Sequence, residues 1–358
     1  MRVLIAFYSG DRNPYLRLLV ESLREAGITV DTAKSGTVMP LLRAARRSGK
    51  PDLVHLQWPI YFSSDRTYAH AIIHTLQFFF QVMVMRMWGV AFVWTIHNIS
   101  NHEQYQLRWE RWACRRLARL VDALIVHCDA AVPMVAEAYD SVPAKIHVVP
   151  HGNYISWYPA AVAKAAARQA VGLPAAKQIY LYFGRIREYK GVRRLVEAFG
   201  AFRADDVSLV LVGKTFSSAT KEWLESTQRE DPRIHTEAQF IEDERLVQYI
   251  CAADFVVLPY ENALTSGAAI LAFSLGRPVL ATNVGCMQEL PTDAAILFAP
   301  GDNQALIDAF NQAHAADSAW MGQKAQEYIR QFSWSTIAGL NLAIYHQVLD
   351  SAPVRRHD

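Results

Sequence analysis

A chain of 358 residues exceeds what one ordinary core needs, and at roughly 100–200 residues per domain it implies two. Apolar residues make up 52% and charged residues 20%, with no low-complexity tract, which excludes a disordered chain. The net charge of +2 is too small to announce a nucleic-acid partner, and Cys114, Cys128, Cys251 and Cys286 stand far apart without metal-type spacing.

Residues 2–8 (RVLIAFY) form an apolar run closed by Ser9 and Gly10, and Pro14 opens a helical stretch to Ala26. Further apolar runs follow at 52–58, 90–97, 123–128 and 145–150, each separated by enough chain for a helix. Ala71–Trp94 is apolar enough to invite a membrane span. Gln77, Gln81 and Arg86 interrupt it, however, and Gly89 divides a helical half from a strand-like half, so a buried core helix followed by a strand is expected. After HGNYISWYP (151–159) and an Ala-rich helical stretch, a second series begins at 179–184, 208–213, 255–260 and 278–283.

Strands alternating with helices make parallel sheets, so the fold class is α/β with two Rossmann-like domains. Their expected extents are 1–160 and 161–331, followed by a C-terminal helix over 332–350 capped by Ser333 or Ser335. Ligands of such sheets gather at the carboxyl ends of strands, here the loops after Tyr8, Ile96, Gly184, Gly213 and Tyr260. No signal-peptide layout opens the chain, which fits a cytoplasmic location.

FGRIREYKG (183–191) ends a strand at Gly184 and sets Arg185 and Lys190 on the loop before a helix starting near Val192. Two cations beside free helix N–H groups suit a departing diphosphate, with a solvated basic loop as the plain alternative. In YENALTSGAAILAFSLG (260–276), Thr265, Ser266 and Gly267 can open a second helix facing an anion. Glu261, the one carboxylate of that loop, suits ribose hydroxyls or a sugar, and equally a solvent position flanking a helix.

FGRIREYKG, VLVGK (210–214), AADFVVLPY (252–260) and LGRPVLATNVGCMQEL (275–290) together resemble the family 4-like glycosyltransferases, over the whole C-terminal half. The resemblance implies a GT-B fold with an interdomain cleft and a C-terminal helix crossing back to the N-domain. It implies Arg185 and Lys190 on the donor phosphates, Gly213 and Lys214 near the nucleoside, and His97 against the donor sugar. The family's paired glutamates are absent; their positions hold Leu264 and Ala272, which leaves phosphate binding to the 265–267 turn.

NPYL (13–16), HLQWP (55–59), TIHNISNHE (95–103) and HGNYISWY (151–158), with PYxxxxxSG in the second half, look like the β-mannosyltransferases that extend xanthan-type exopolysaccharide repeat units on a polyprenyl diphosphate carrier. That resemblance implies GDP-mannose as donor, a lipid-linked oligosaccharide as acceptor, and an inverting transfer that needs a general base. Glu103 is the first candidate and Asp11 the competing one; the Asn98–Glu103 segment equally suits capping of the next helix. Gly10 is grouped with the donor-binding residues, and Asn13, Tyr15, Asn98 and His102 with the acceptor or cleft. His55 and His127 read as strand-end core histidines.

No metal-ligand spacing and no Asp-x-Asp occurs, so metal-independent transfer without a cofactor is expected. A UDP-sugar donor (glucose, GlcNAc or glucuronic acid) would keep the phosphate residues and differ around Lys214 and Phe240. A sugar-nucleotide epimerase and a GT-B relative that binds nucleotide-sugar without transferase activity are the more distant readings. A nicotinamide enzyme is disfavoured by SGDRNPY after the first strand.

Residues 105–120 (YQLRWERWACRRLARL) place Tyr105, Trp109, Trp112, Leu117 and Leu120 on one helical face and Arg108, Arg111, Arg115 and Arg119 on another. Such a helix suits anionic headgroups and a peripheral position on the inner face of the cell membrane. The competing reading packs its aromatic face on the sheet and leaves the arginines in solvent.

Overall fold

The computed structural model describes residues 1–351 apart from 9–12, 35–38, 60–66, 100–106, 176 and 188–189. It divides into two compact units, Met1–Gly152 joined by the residues from Phe332 onward, and Asn153–Gln331.

In the first unit, strands β1 (Arg2–Tyr8), β2 (Thr29–Lys34), β3 (Leu53–Leu56), β4 (Ala91–Thr95), β5 (Ala123–Val126) and β6 (Ile146–Val148) form one sheet in the order β2-β1-β3-β4-β5-β6. Every pairing is parallel. Every residue of β3, β4 and β5 is buried, as a parallel sheet covered on both faces requires, and their sequences are correspondingly near-continuous apolar runs. The helices between them are α1 (Pro14–Glu25), α2 (Pro40–Ser48), α3 (Tyr68–Met87), α4 (Leu107–Leu120) and α5 (Ala131–Tyr139).

The apolar stretch expected to divide at Gly89 does so: α3 ends at Met87, Gly89 takes a positive φ of 78°, and β4 begins at Ala91. The expectation of a buried core helix is half met. Phe78, Val82 and Met85 are buried, while the outer face of α3 stays apolar and exposed. For α4 the expected aromatic face needs correction. Its buried side is Ala113, Cys114, Leu117 and Ala118, and Trp112 lies on the exposed side with the arginines. Tyr105 lies outside the described residues.

The second unit repeats the plan. Strands β7 (Gln178–Phe183), β8 (Val207–Val212), β9 (Ile234–Glu237), β10 (Phe255–Leu258), β11 (Val279–Thr282) and β12 (Ala295–Phe298) form a parallel sheet in the order β12-β11-β10-β7-β8-β9. Helices α6 (Lys164–Val171), α7 (Val192–Ala201), α8 (Ser218–Glu230), α9 (Asp243–Ala252), α10 (Gly267–Ser274), α11 (Asn303–Ala315) and α12 (Ser318–Arg330) surround it. Asp254, just before β10, ties α6 to the sheet. Its carboxylate accepts from Lys164 Nζ at 2.6 Å, Arg168 at 2.7 Å and the Ile179 backbone N–H at 2.7 Å. Arg168 also donates to the Ala252 carbonyl at 3.0 Å, so a nearly buried charge has its partners.

The last helix, α13 (Trp334–Ser351), starts at Ser333, whose Oγ accepts from the Thr336 N–H at 3.2 Å, and it belongs to the first unit. Its Trp334 ring occupies the space beside Gly152, where an added Cβ would come within 2.5 Å of the indole. Glycine at 152 is what lets this helix close on the strand ends.

Candidate active site

In an open parallel sheet the binding crevice forms where the strand order reverses, outside the carboxyl ends of the strands. In the second unit that point lies between β7 and β10, and the loops after those strands carry the RIREYK and YENALTS segments. Close backbone approach holds this region together. Gly213 takes a φ of 143°, and a Cβ there would lie 1.7 Å from the Gly184 carbonyl oxygen. Gly191 takes a φ of 69°, and a Cβ there would lie 2.0 Å from the Pro259 oxygen. Any side chain at either position would force the β7 loop off its neighbours.

The loops after β7 and β8 run side by side, with the Gly184 N–H on the Val212 oxygen and the Ile186 N–H on the Lys214 oxygen, both at 3.0 Å. This register gathers cations around one exposed ring. The Arg187, Lys214 and Arg185 charges lie 4.1, 5.8 and 5.9 Å from the Phe216 centroid. The Tyr182 hydroxyl donates to the Arg185 carbonyl at 2.8 Å and fixes the start of the loop. Lys190 reaches the other way, its Nζ 4.6 Å from the Tyr260 ring on the β10 loop.

Two helix N-termini open here, α7 after Gly191 and α10 after Ser266, and first-turn N–H groups have no intrahelical acceptor. The Ser266 hydroxyl accepts from the Ala269 N–H at 3.3 Å, so it acts as the cap itself. Glu261 is half exposed and accepts from Arg194 at 3.2 Å, which turns it toward α7. Leu264, at one expected glutamate position, is buried with its carbonyl accepting from the Cys286 N–H at 2.8 Å; Ala272, at the other, is buried inside α10. Gly285 supports the same loop, since a Cβ at its φ of 50° would meet the Ala263 oxygen at 2.2 Å.

The corresponding switch point of the first unit lies between β1 and β3, and polar side chains converge there. Tyr345 Oη lies 2.6 Å from His55 Nδ1, and His55 Nε2 lies 2.7 Å from Thr95 Oγ1 and 3.1 Å from the Gln57 amide. The other end of that amide meets His97 Nε2 at 2.9 Å, His97 Nδ1 lies 3.2 Å from His127 Nε2, and His127 Nδ1 lies 2.9 Å from the Val149 oxygen. A carbonyl only accepts, so His127 carries its proton on Nδ1 and accepts on Nε2. His97, kept neutral by burial, therefore donates from Nδ1 and accepts on Nε2; the Gln57 amide, whose nitrogen faces His55 and whose oxygen faces His97, completes that pattern only after a half-turn about its last bond. The result is one directional chain, Tyr345 to His55 to Gln57 to His97 to His127 to the Val149 carbonyl.

Burial favours the neutral imidazoles that this chain needs. It depresses His55 to about 3 and His127 to about 4, and drives His97 well below the usual histidine value, with neighbouring His127 adding to the effect at His55 and His97. His151, whose Nδ1 meets the Gly152 oxygen at 2.7 Å, is likewise lowered by burial to about 3. Trp58 stacks on His97 at 3.8 Å, and the Tyr15 ring packs edge-on against His97, 4.9 Å away.

The sequence-derived site residues thus fall into four groups. Arg185, Lys190, Gly213, Lys214, Thr265 and Ser266 lie on the loops at the carboxyl ends of β7, β8 and β10, and Gly267 opens α10 directly after them. His97 and Tyr15 sit in the buried ring cluster, where both His97 nitrogens are engaged within the protein. Asn13 precedes α1 without a side-chain capping bond, and the Asn98 carbonyl accepts from Tyr139 at 3.3 Å. Gly10, Asp11, His102 and Glu103 lie outside the described residues. Sequence reasoning passed over Gln57, Trp58, Arg187 and Phe216. It also set aside His55 and His127, which lie one residue before the end of β3 and one residue after the end of β5, the signal that they share one layer.

Two Rossmann-like parallel sheets, with cations and helix N-termini at the second sheet's switch point, define a nucleotide-sugar enzyme of GT-B architecture. The chain is a glycosyltransferase with family 4-like domains: residues 177–315 match the model for glycosyl transferases group 1, and residues 31–153 match that for glycosyltransferase family 4. It is 26% identical over 351 residues to the GDP-mannose:glycolipid 4-beta-D-mannosyltransferase of Xanthomonas campestris pv. campestris, covering 95% of this chain and 90% of that one. It is also 27% identical over 298 residues to a D-inositol 3-phosphate glycosyltransferase of Corynebacterium urealyticum, covering 76% and 70%. In structure it is similar to sucrose-phosphate synthase from Thermosynechococcus elongatus, with a TM-score of 0.78 at 21% identity over 98% of this chain and 100% of that one.

Proposed function

We propose that this glycosyltransferase moves mannose from GDP-mannose onto a lipid-linked oligosaccharide in exopolysaccharide or glycolipid synthesis, at the inner face of the cell membrane. The observation that carries the reading is the cationic switch point of the second unit, joined to similarity along 95% of the chain to a GDP-mannose:glycolipid mannosyltransferase. Arg185 and Lys190 would neutralise the diphosphate as it leaves, the N-termini of α7 and α10 would hold its oxygens, and Gly213 and Lys214 would approach the nucleoside. These fixed charges can serve without a divalent ion, and Glu103 or Asp11 would deprotonate the acceptor hydroxyl.

Calorimetric titration with GDP, GDP-mannose, UDP and UDP-sugars in chelator-containing buffer tests the donor. Micromolar binding of the guanine nucleotides alone supports the reading, and preferential UDP binding replaces the donor while keeping the transferase.

A further inference from the structure

The outer face of α3 is inverted relative to an ordinary core helix. Its exposed positions beyond Ala69 are Ile73, Leu76, Phe80, Met83 and Met87, every one large and apolar at a spacing of three or four residues. Polar groups point inward instead. The buried Thr75 hydroxyl donates to the Ala71 oxygen and accepts from Trp109 Nε1 at 3.0 Å, and the buried Gln81 side chain accepts from the Leu41 N–H at 3.0 Å. Thus, besides burying Phe78, Val82 and Met85, the helix buries satisfied polar groups and leaves a continuous apolar stripe in solvent along about 21 Å, which water alone disfavours.

A second stripe runs beside it on α4. There the exposed residues are Arg108, Arg111, Arg115, Arg116 and Arg119, with Trp112 among them. The stripes meet where Trp112 packs on Phe79, ring centroids 6.2 Å apart. Arg115 donates to the Ala138 carbonyl and Arg119 pairs with Asp140, while Arg108, Arg111 and Arg116 make no ion pair among the described residues. α3 is long and apolar enough to cross a bilayer by length and composition. Its inner residues are nevertheless locked in the crossover between the paired strands β3 and β4, so it can lie on a membrane but not span one.

We propose that this face docks on an anionic lipid surface, with the α3 stripe entering the acyl boundary and the α4 arginines meeting the headgroups. Charge complementarity selects this occupant: an apolar stripe alone would also suit a second copy of the chain, but a flanking row of arginines would set like charges against each other in a symmetric dimer. The surface stands apart from donor identity, and its test keeps the two separate.

The full chain is sedimented with vesicles of phosphatidylcholine alone and of phosphatidylcholine with phosphatidylglycerol, while nucleotide binding is followed on the same preparations. Binding to the anionic vesicles is expected, weakened more than tenfold in L76Q/F80Q. In R108E/R111E/R116E it should weaken by on the order of a hundredfold at low salt, at roughly fivefold for each arginine lost. Nucleotide affinity should be unchanged in both variants, which shows them folded. Vesicle binding that is absent in the wild type or unaltered in both variants overturns the proposal, as does a wild-type dimer that L76Q/F80Q turns into monomer. Should either variant misfold, the single changes F80S and R111E carry the same comparison.

Discussion

Acidification should unfold the first unit well before the second. His55, His97, His127 and His151 are buried and neutral, with His127 held at about 4 and His55 and His151 at about 3. In the unfolded chain the same rings titrate near 6.5. Between those values the unfolded state binds protons that the folded unit refuses, so the stabilisation is complete above about pH 6.5 and is lost as pH falls toward the folded values. For one such histidine the loss between pH 7 and pH 5 is about 2 kcal/mol, nearly independent of the folded value once that lies at 4 or below. His55, His127 and His151 together reach about 6 kcal/mol, with His97 adding in the same direction, which is comparable to the roughly 5–15 kcal/mol that holds a domain folded.

The second unit contains only His235 and His314, neither fully buried, and serves as an internal control. Urea unfolding followed by tryptophan fluorescence at pH 7, 6 and 5 reads the effect, because Trp58, Trp88, Trp94, Trp109, Trp112 and Trp334 belong to the first unit. The expected result is a first-unit midpoint that collapses toward pH 5 while the other persists. A midpoint unchanged from pH 7 to pH 5 would refute the neutral chain and mean that water reaches these imidazoles.

Other substitutions probe separate parts of the account. Replacing Lys190 with Ala should lower turnover by at least about a hundredfold without shifting the melting temperature, through loss of the charge proposed to meet the leaving diphosphate; near-normal turnover removes it from the proposed diphosphate site. Replacing Gly213 with Ala should prevent soluble expression or lower stability by several kcal/mol, on the order of 3 or more, because the new methyl would overlap the Gly184 carbonyl; an unchanged melting curve would contradict that packing. Asp254→Ala should cost about 3–5 kcal/mol in the second unit by leaving Arg168 buried without its carboxylate, measured by urea unfolding.

Much of the fold was legible because interior parallel strands must be apolar on both faces. The runs at 2–8, 90–97, 179–184 and 208–213 are β1, β4, β7 and β8. The strands that escaped were β2, β9 and β12, and all three are sheet edges. An edge strand needs less apolar sequence: TVDTAK and IHTE carry polar residues that an inner strand could not bury without partners. Helix N-termini at Val192 and Gly267 were readable from the Gly and Ser before them.

The α3 stripe was not readable, because hydropathy counts apolar residues without saying which face the sheet takes. The histidine chain escaped for a related reason. Each of His55, His97 and His127 sits unremarkably at the end of its own run, and only the strand register brings them into one layer. The placement of Glu103 and Asp11 rests on sequence alone, so E103Q carries its own test: a rate loss of about 10²–10⁴ marks a base, and a loss of thermal stability only marks a cap.

The most direct measurement follows label from a radiolabelled nucleotide-sugar into a product extractable by organic solvent, with native membranes as the source of lipid-linked acceptor. The account predicts transfer from GDP-mannose in preference to UDP-sugars, insensitive to chelator and lost in K190A. Label that remains on the nucleotide for every donor, or that moves only into water-soluble product, would contradict it.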